Sequence, residues 1–128
     1  MKLDRNFFVR QHFTTVELHK YKDSALRDVK IATGADKSEV VFHFAFMALI
    51  KIGIYRIARE GYRVKSRPGH HQKIIEQLGR ILGSEEVLMI GDKMRKERNL
   101  DFYGADVVCS AEEAREYLEF VNGIFRRV

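Results

Sequence analysis

The segment from Val40 to Ala58 constrains the fold more than any other part of the sequence. It carries only two charges, Lys51 and Arg56, and its apolar side chains fall on every side of a helical projection. A helix that is apolar all round is normally buried all round, in the core of a bundle or in a membrane. A membrane span needs about 20 largely uncharged residues, and Lys51 interrupts this run too early. The segment is therefore predicted to be the core helix of a soluble bundle that has no membrane association.

Both ends of this helix carry sequence signals. Asp36 and Glu39 have the spacing of a capping box, in which two side chains satisfy free backbone N–H groups at a helix start. Gly61 suits the left-handed backbone position just past a helix end. His43 is the only strongly polar uncharged side chain on this surface, and it is interpreted as a hydrogen-bonded core histidine.

Length and composition indicate a single helical domain over residues 1–128. A chain of 128 residues is long enough for one hydrophobic core and too short for two. Its only cysteine, Cys109, cannot form an internal disulfide and is interpreted as a small buried residue of a cytoplasmic protein. The net charge of +5 is compatible with a polyanionic partner but does not require one.

Helical periodicity predicts four further helices and no convincing strand. The first covers residues 14–33, with Phe7, Phe8 and Phe13 either extending it or forming a separate short turn. The other three are opened by His70 and His71, by Ser84 and by Ser110, and the one after Ser84 is expected to run from Glu85 to about Phe102. The remaining clear loop, residues 63–69, carries Arg63, Lys65 and Arg67. It is either a solvated loop or part of an anion-facing surface.

The helix after Ser84 carries the most informative pattern. Its inward stripe begins with Val87, Ile90 and Met94, and continues at the same spacing with Arg98 and Asp101. Burying a charge costs several kcal/mol unless the charge is paired. The pattern therefore predicts either a salt bridge of Arg98, with Asp101 or another carboxylate, or a cleft.

Further cations beside Arg98 give this part of the helix a strong positive field. Arg95 and Lys96 are predicted to bind phosphate together with Arg98. The alternative explanation of these charges is a solvated helix face, and Asp92 and Lys96 have the spacing of an ordinary helical ion pair. His70 and His71 point to different faces of a helix, and no Cys/His cluster completes a zinc site. Neither a metal nor a cofactor is expected.

Four short segments, taken together, resemble the HEPN superfamily. They are the apolar helix ending in Gly61–Arg63, the helix start at Gly69–His71, the basic segment Arg95–Asn99, and the helix exit at Tyr103–Gly104 before a capped last helix. The resemblance covers most of the chain. It implies an all-α, up-and-down bundle of about five helices that commonly dimerises.

The resemblance also implies a site. In the active ribonucleases of this superfamily an Arg, usually followed by a polar residue, precedes a His by several positions, and two protomers bring these motifs into one cleft. Arg98 and Asn99 match the first half of the motif. Tyr103 occupies the position of the family's His, and no His lies further along the chain. Arg98, Asn99 and Tyr103 are therefore the candidate catalytic residues.

This departure bears directly on the chemistry. Metal-free RNA cleavage needs one group that takes the proton of the 2′-hydroxyl and another that stabilises the charge on the phosphorane. Imidazole suits the first task and arginine the second. Tyrosine, with an ordinary pKa of about 10, is a poor general base near neutrality. Arg98 is thus expected to bind a phosphate or a base without efficient catalysis, while Tyr103 stacks on a base or covers the end of the bundle.

Three functions follow, and the sequence leaves open whether the chain is an enzyme. The first is a HEPN-like RNA- or nucleotide-binding protein, paired with a minimal nucleotidyltransferase in a toxin–antitoxin module. The second is a divergent metal-independent ribonuclease that uses Arg98 and Tyr103. The third is a non-catalytic dimeric interaction module. A homodimer is expected because the chain has more apolar surface than one small bundle can cover.

Overall fold

A computed structural model describes residues 3–102 and 109–128, with side chains described for residues 3–99 and 109–128. Within these ranges the chain forms five helices and one small antiparallel sheet. The elements in chain order are β1 (Phe8–Arg10), α1 (Thr15–Gly34), α2 (Ser38–Arg59), β2 (Tyr62–Val64), α3 (His70–Leu82), α4 (Glu85–Phe102) and α5 (Ala111–Arg127). The predicted all-α helical bundle is confirmed.

Helix α2 is the centre of the bundle. It packs against α1, α3, α4 and α5 and also against β2, and Phe46, Leu49 and Ile52 are fully buried in it. Within the described residues, α2 is also the one helix whose length and composition would allow it to cross a membrane. Most of it is nevertheless covered by the rest of the protein, as expected for the core helix of a bundle.

Two predictions about α2 are wrong. The helix begins at Ser38, and Lys37 occupies the capping position without a side-chain hydrogen bond, so Asp36 and Glu39 do not form a capping box. Lys37 has an extended backbone, which starts the helix one residue later than the box requires. His43 is exposed because the neighbouring elements do not cover its side of the helix. Gly61, in contrast, has the predicted left-handed backbone, with a φ of 90°.

The small sheet corrects the prediction that the chain has no strand. β1 and β2 pair in antiparallel register, with Phe8 opposite Val64 and Val9 opposite Arg63. Phe8 is buried against the core, so the N-terminal segment covers the bundle as a strand and does not extend α1. Each strand has only three residues, too few for alternating hydrophobicity to distinguish a strand from a loop.

A buried ion pair joins α1 to α2. Asp28 of α1 is buried, and its carboxylate oxygen Oδ2 lies 2.8 Å from Nζ of Lys51. Lys51 is one of the two charges in the apolar segment from Val40 to Ala58, and the Asp28 carboxylate of the neighbouring helix neutralises it. This pairing explains how α2 keeps a charged side chain within a mostly buried surface.

Candidate functional site

A cleft opens between the turn after β2 and the second half of α4. Its volume is about 470 Å³. We call it the basic cleft, and its lining residues are Ser66, Arg67, Pro68, Gly69, His70, His71, Gln72, Arg95 and Asn99. The cleft is thus lined by the loop after β2, by the start of α3 and by one face of α4.

The first residues of α3 line the basic cleft. Gly69, just before the helix, has a φ of 86° and makes no side-chain cap. In the described part of the chain, the N–H of His70 donates to the Arg67 carbonyl (3.0 Å). The N–H groups of His71 and Gln72 lie in the first turn, where a helix offers no acceptor of its own, and they donate to no other backbone carbonyl among the described residues. The first turn contains no acidic residue. This end of α3 is therefore electropositive, and such ends favour anions.

Arg95 enters the cleft from α4 in a fixed orientation. Its Nε and Nη2 atoms donate to Oδ1 of Asp92 at 3.0 and 2.8 Å. These hydrogen bonds, together with those from Lys96, keep the pKa of Asp92 below its ordinary value against the opposing effect of burial. Asp92 remains ionised and holds the guanidinium, whose remaining donors can face a ligand.

Arg67 contributes a second guanidinium to the cleft, and neutral groups hold it. Its Nη1 donates to the carbonyl of Asn6 at 2.9 Å, and its guanidinium lies over the Phe7 ring, 5.2 Å from the centroid. Neither partner neutralises the charge. Arg67 is therefore an exposed cation with a defined position at the mouth of the cleft.

Arg98 and His71 meet on the buried ring of Phe46. The guanidinium carbon of Arg98 lies 5.4 Å from the ring centroid, and the imidazole of His71 makes an edge contact with the same ring at 5.7 Å. Burial, aided by the positive charges of His70, Arg98 and Arg95, lowers the pKa of His71 to about 4. The imidazole is therefore neutral near pH 7, and it is a weaker base than an ordinary histidine.

The structure separates the predicted site residues. Arg95 and Asn99 line the basic cleft, and Arg98 lies beside it on Phe46. Lys96 is not among the residues that line the cleft. Its exposed side chain pairs with Asp92, with Nζ 3.1 Å from Oδ2, as the helical spacing predicts. Tyr103 lies outside the described residues.

The salt bridge predicted between Arg98 and Asp101 falls on a side chain outside the described residues. Among the side chains that the structure describes, no carboxylate lies within ion-pairing distance of Arg98. Arg98 is half-buried, and its guanidinium lies against the face of Phe46. A cation over an aromatic ring keeps its charge, so Arg98 adds to the positive potential of the cleft.

His70 and His71 are the residues that sequence reasoning missed. They were considered only as a metal pair, and among the described residues no three His, Cys, Asp or Glu side chains are close enough to hold a metal ion. The fold places them in the same cleft as Arg95 and Asn99 of α4, and no spacing within α3 predicts this proximity. The available signal was a helix start with two imidazoles, a preceding basic loop and no acidic residue.

Cys109 does not belong to this cleft. It is half-buried, so the prediction of a buried cysteine holds only in part. Burial, followed by the charges of Glu113 and Glu97, raises the pKa of its thiol to about 11. A thiol that stays protonated near neutral pH is a weak nucleophile.

Comparison of the chain with protein-family models, with curated proteins and with solved structures finds no match.

Proposed function

We propose that the basic cleft binds the phosphate group of RNA or of a nucleotide. The observation that carries this proposal is the convergence of Arg67, Arg95 and Arg98 with the N-terminal end of α3. Asp92 is the only carboxylate that pairs with any of these three arginines among the described residues, and it is shared with Lys96. An excess of fixed positive charge and free N–H donors in a concave site favours an anion.

The HEPN resemblance supports RNA or a nucleotide as the source of the phosphate. On this proposal the chain is a HEPN-like binding protein, and a minimal nucleotidyltransferase is its partner in a toxin–antitoxin module. A nucleotidyltransferase gene next to that of this chain would support the pairing. Co-purification of the two products would test it directly.

We expect wild-type protein to bind single-stranded RNA with micromolar affinity, and Arg98→Ala to bind about tenfold more weakly, because charge-assisted contacts to phosphate contribute about 1.5–3 kcal/mol each. Affinity should also fall steeply between 50 and 200 mM salt, since binding releases counterions. Fluorescence anisotropy with labelled RNA measures both effects.

Two matched substitutions serve as controls for this experiment. Arg115→Ala removes an exposed arginine from α5, and Lys96→Ala removes a cation from α4 outside the cleft. Both should retain most of the affinity. Binding that is indifferent to salt and to Arg98→Ala would contradict the proposal and leave Arg98 with a structural role on Phe46.

A metal-independent ribonuclease is the second candidate function, and the neutral imidazole of His71 beside Arg98 favours it. This imidazole could take the proton that Tyr103 cannot easily accept, once a bound phosphate offsets the arginine charges and raises the pKa of His71. RNA cleavage assays in EDTA separate the alternatives. Activity lost in His71→Gln would assign the base to α3, activity lost in Tyr103→Phe would assign it to the motif position, and absence of cleavage would leave a binding protein.

We also propose that the chain forms a homodimer, although the structure changes the reason. Phe8 and Phe13 are buried within the protomer, and Phe7 is covered by Arg67 and Lys73. The apolar side chains that remain half-buried on α2 include Phe44, Met47 and Ile54. We expect light scattering at micromolar concentration to give twice the mass of one chain, and Met47→Glu to reduce it. A monomeric wild type would contradict the proposal.

A further inference from the structure

The outward face of the small sheet carries cations that lead to the basic cleft. Phe8 and Val64 form a pair on the face that packs against the core. Since side chains alternate along a strand, Arg63 lies on the opposite face, where it is exposed. The pairing continues one residue further, because the N–H of Lys65 donates to the carbonyl of Phe7 at 2.7 Å. Arg63 and Lys65 therefore share the outward face.

Neutral acceptors hold each of these cations. Nε of Arg63 donates to Oε1 of Gln11 at 3.1 Å, and Nζ of Lys65 donates to the carbonyl of Arg5 at 3.1 Å. Among the described residues, no carboxylate pairs with Arg63, Lys65 or Arg67; Asp4, the nearby acidic residue, lies 3.6 Å from Lys73. Each of the three side chains thus has a hydrogen-bond partner that leaves its charge without a counter-ion, and each has further N–H donors for a ligand.

The spacing of these cations suits an extended nucleic-acid strand. Alternate residues of a strand are about 7 Å apart, which is comparable with the separation of successive phosphates in an extended chain. Arg67 follows Lys65 after another two residues and lines the basic cleft. In chain order, the cations therefore lead from the sheet, at Arg63, to the cleft, at Arg67.

We propose that the outward face of the sheet, through Arg63 and Lys65, binds the phosphates that adjoin the one held in the basic cleft, so that the ligand is a single-stranded RNA of several nucleotides. This inference rests on the proposed function of the cleft. It deepens that function, because a mononucleotide would occupy the cleft without reaching the sheet.

The test compares two ligands on one variant. Arg63→Gln/Lys65→Gln removes two charges from the sheet but leaves the cleft unchanged. We expect its affinity for a single-stranded oligoribonucleotide of about eight nucleotides, within the usual range of site sizes, to fall about tenfold. Its affinity for a nucleoside monophosphate should stay the same. The slope of log affinity against log salt should decrease in magnitude by about 1.4 for the oligoribonucleotide, at roughly 0.7 for each lost phosphate contact on a single strand.

A second double variant controls for net charge. Arg126→Gln/Arg127→Gln removes the same charge at the end of α5, where Arg127 donates to the carbonyl of Leu82 at 3.1 Å, at the end of α3 away from the cleft. It should keep both affinities, and thermal melting should show that both double variants fold.

The outcomes separate this inference from the proposed function. If Arg98→Ala weakens both ligands while the sheet variant weakens neither, the sheet is not a binding surface but the cleft proposal stands. If a duplex binds the wild type as tightly as the single strand does, the single-strand assignment is overturned. If neither ligand binds the wild type at all, the proposed function itself fails.

Discussion

Replacing Leu49 with aspartate is expected to leave the chain largely unfolded at room temperature. Leu49 is completely buried in the middle of α2, and its methyl group Cδ2 lies 3.5 Å from the position that a Cβ atom on Gly91 of α4 would take. A carboxylate there would be buried without a partner, which costs several kcal/mol. A domain of this size has only about 5–15 kcal/mol of total stability.

Phe46→Ala should destabilise the protein by about 3–5 kcal/mol, because it removes a fully buried ring and leaves a cavity. The same ring supports Arg98 and His71, so the folded fraction of this variant should also bind RNA more weakly. Phe46→Leu is the milder comparison, since it leaves a smaller cavity and removes the aromatic face. Urea denaturation followed by circular dichroism measures the free energy of unfolding for each variant.

Substitutions of Arg63, Lys65 or Arg67 provide the contrast for these core changes. Each side chain makes a hydrogen bond to a neutral acceptor at the surface, and a surface substitution usually changes stability by no more than about 0.5 kcal/mol. Denaturation midpoints that lay close together for the core and surface variants would show that α2 is not the centre of the core.

The affinity of the basic cleft for RNA is expected to increase by about 20-fold between pH 7 and pH 5. Burial and the charges of His70, Arg98 and Arg95 lower the pKa of His71 to about 4 in the free protein. A phosphate that neutralises the two arginines favours the imidazolium. If the bound phosphate restores an ordinary pKa of about 6.5, the complex takes up a proton over this pH range and linkage gives the stated increase.

An oligouridylate with phosphodiester linkages and no terminal phosphate is the suitable ligand, because its own charge is constant between pH 5 and 7. His71→Gln should abolish most of the increase, and His70→Gln isolates any contribution of the neighbouring imidazole. Titration of the His71 ring by NMR, with and without the ligand, measures the pKa directly. An unchanged pKa on binding would mean that the phosphate lies away from His71.

In the absence of ligand, a fall in pH should lower the stability of the protein, although the same fall raises its affinity for RNA. A folded pKa below the unfolded value means that the unfolded chain binds more protons between about pH 6.5 and pH 4. The free protein should therefore lose stability as the pH falls through this window. His71→Gln should reduce that loss, whereas RNA should oppose it.

Local sequence signals predicted several elements correctly. The all-round apolar pattern from Val40 to Ala58 identified the core helix, because only burial on all sides accounts for such a pattern. Gly61 and Ser110 marked helix ends correctly, since a left-handed residue and a hydroxyl cap act on backbone groups within a few residues. In α4, the change from apolar residues to Arg98 correctly indicated a side chain that is only partly enclosed.

The sequence by itself determined a helical bundle, its central helix and a basic segment on α4, because these depend on periodicity and on contacts within one element. Only the tertiary structure decided that His71 and Arg98 share the ring of Phe46, that Arg67 and Arg95 face one cleft, and that the N-terminal segment pairs with Tyr62–Val64. These contacts join residues far apart in the chain, and their partners depend on how α2, α3 and α4 pack. No spacing within a single element encodes that packing.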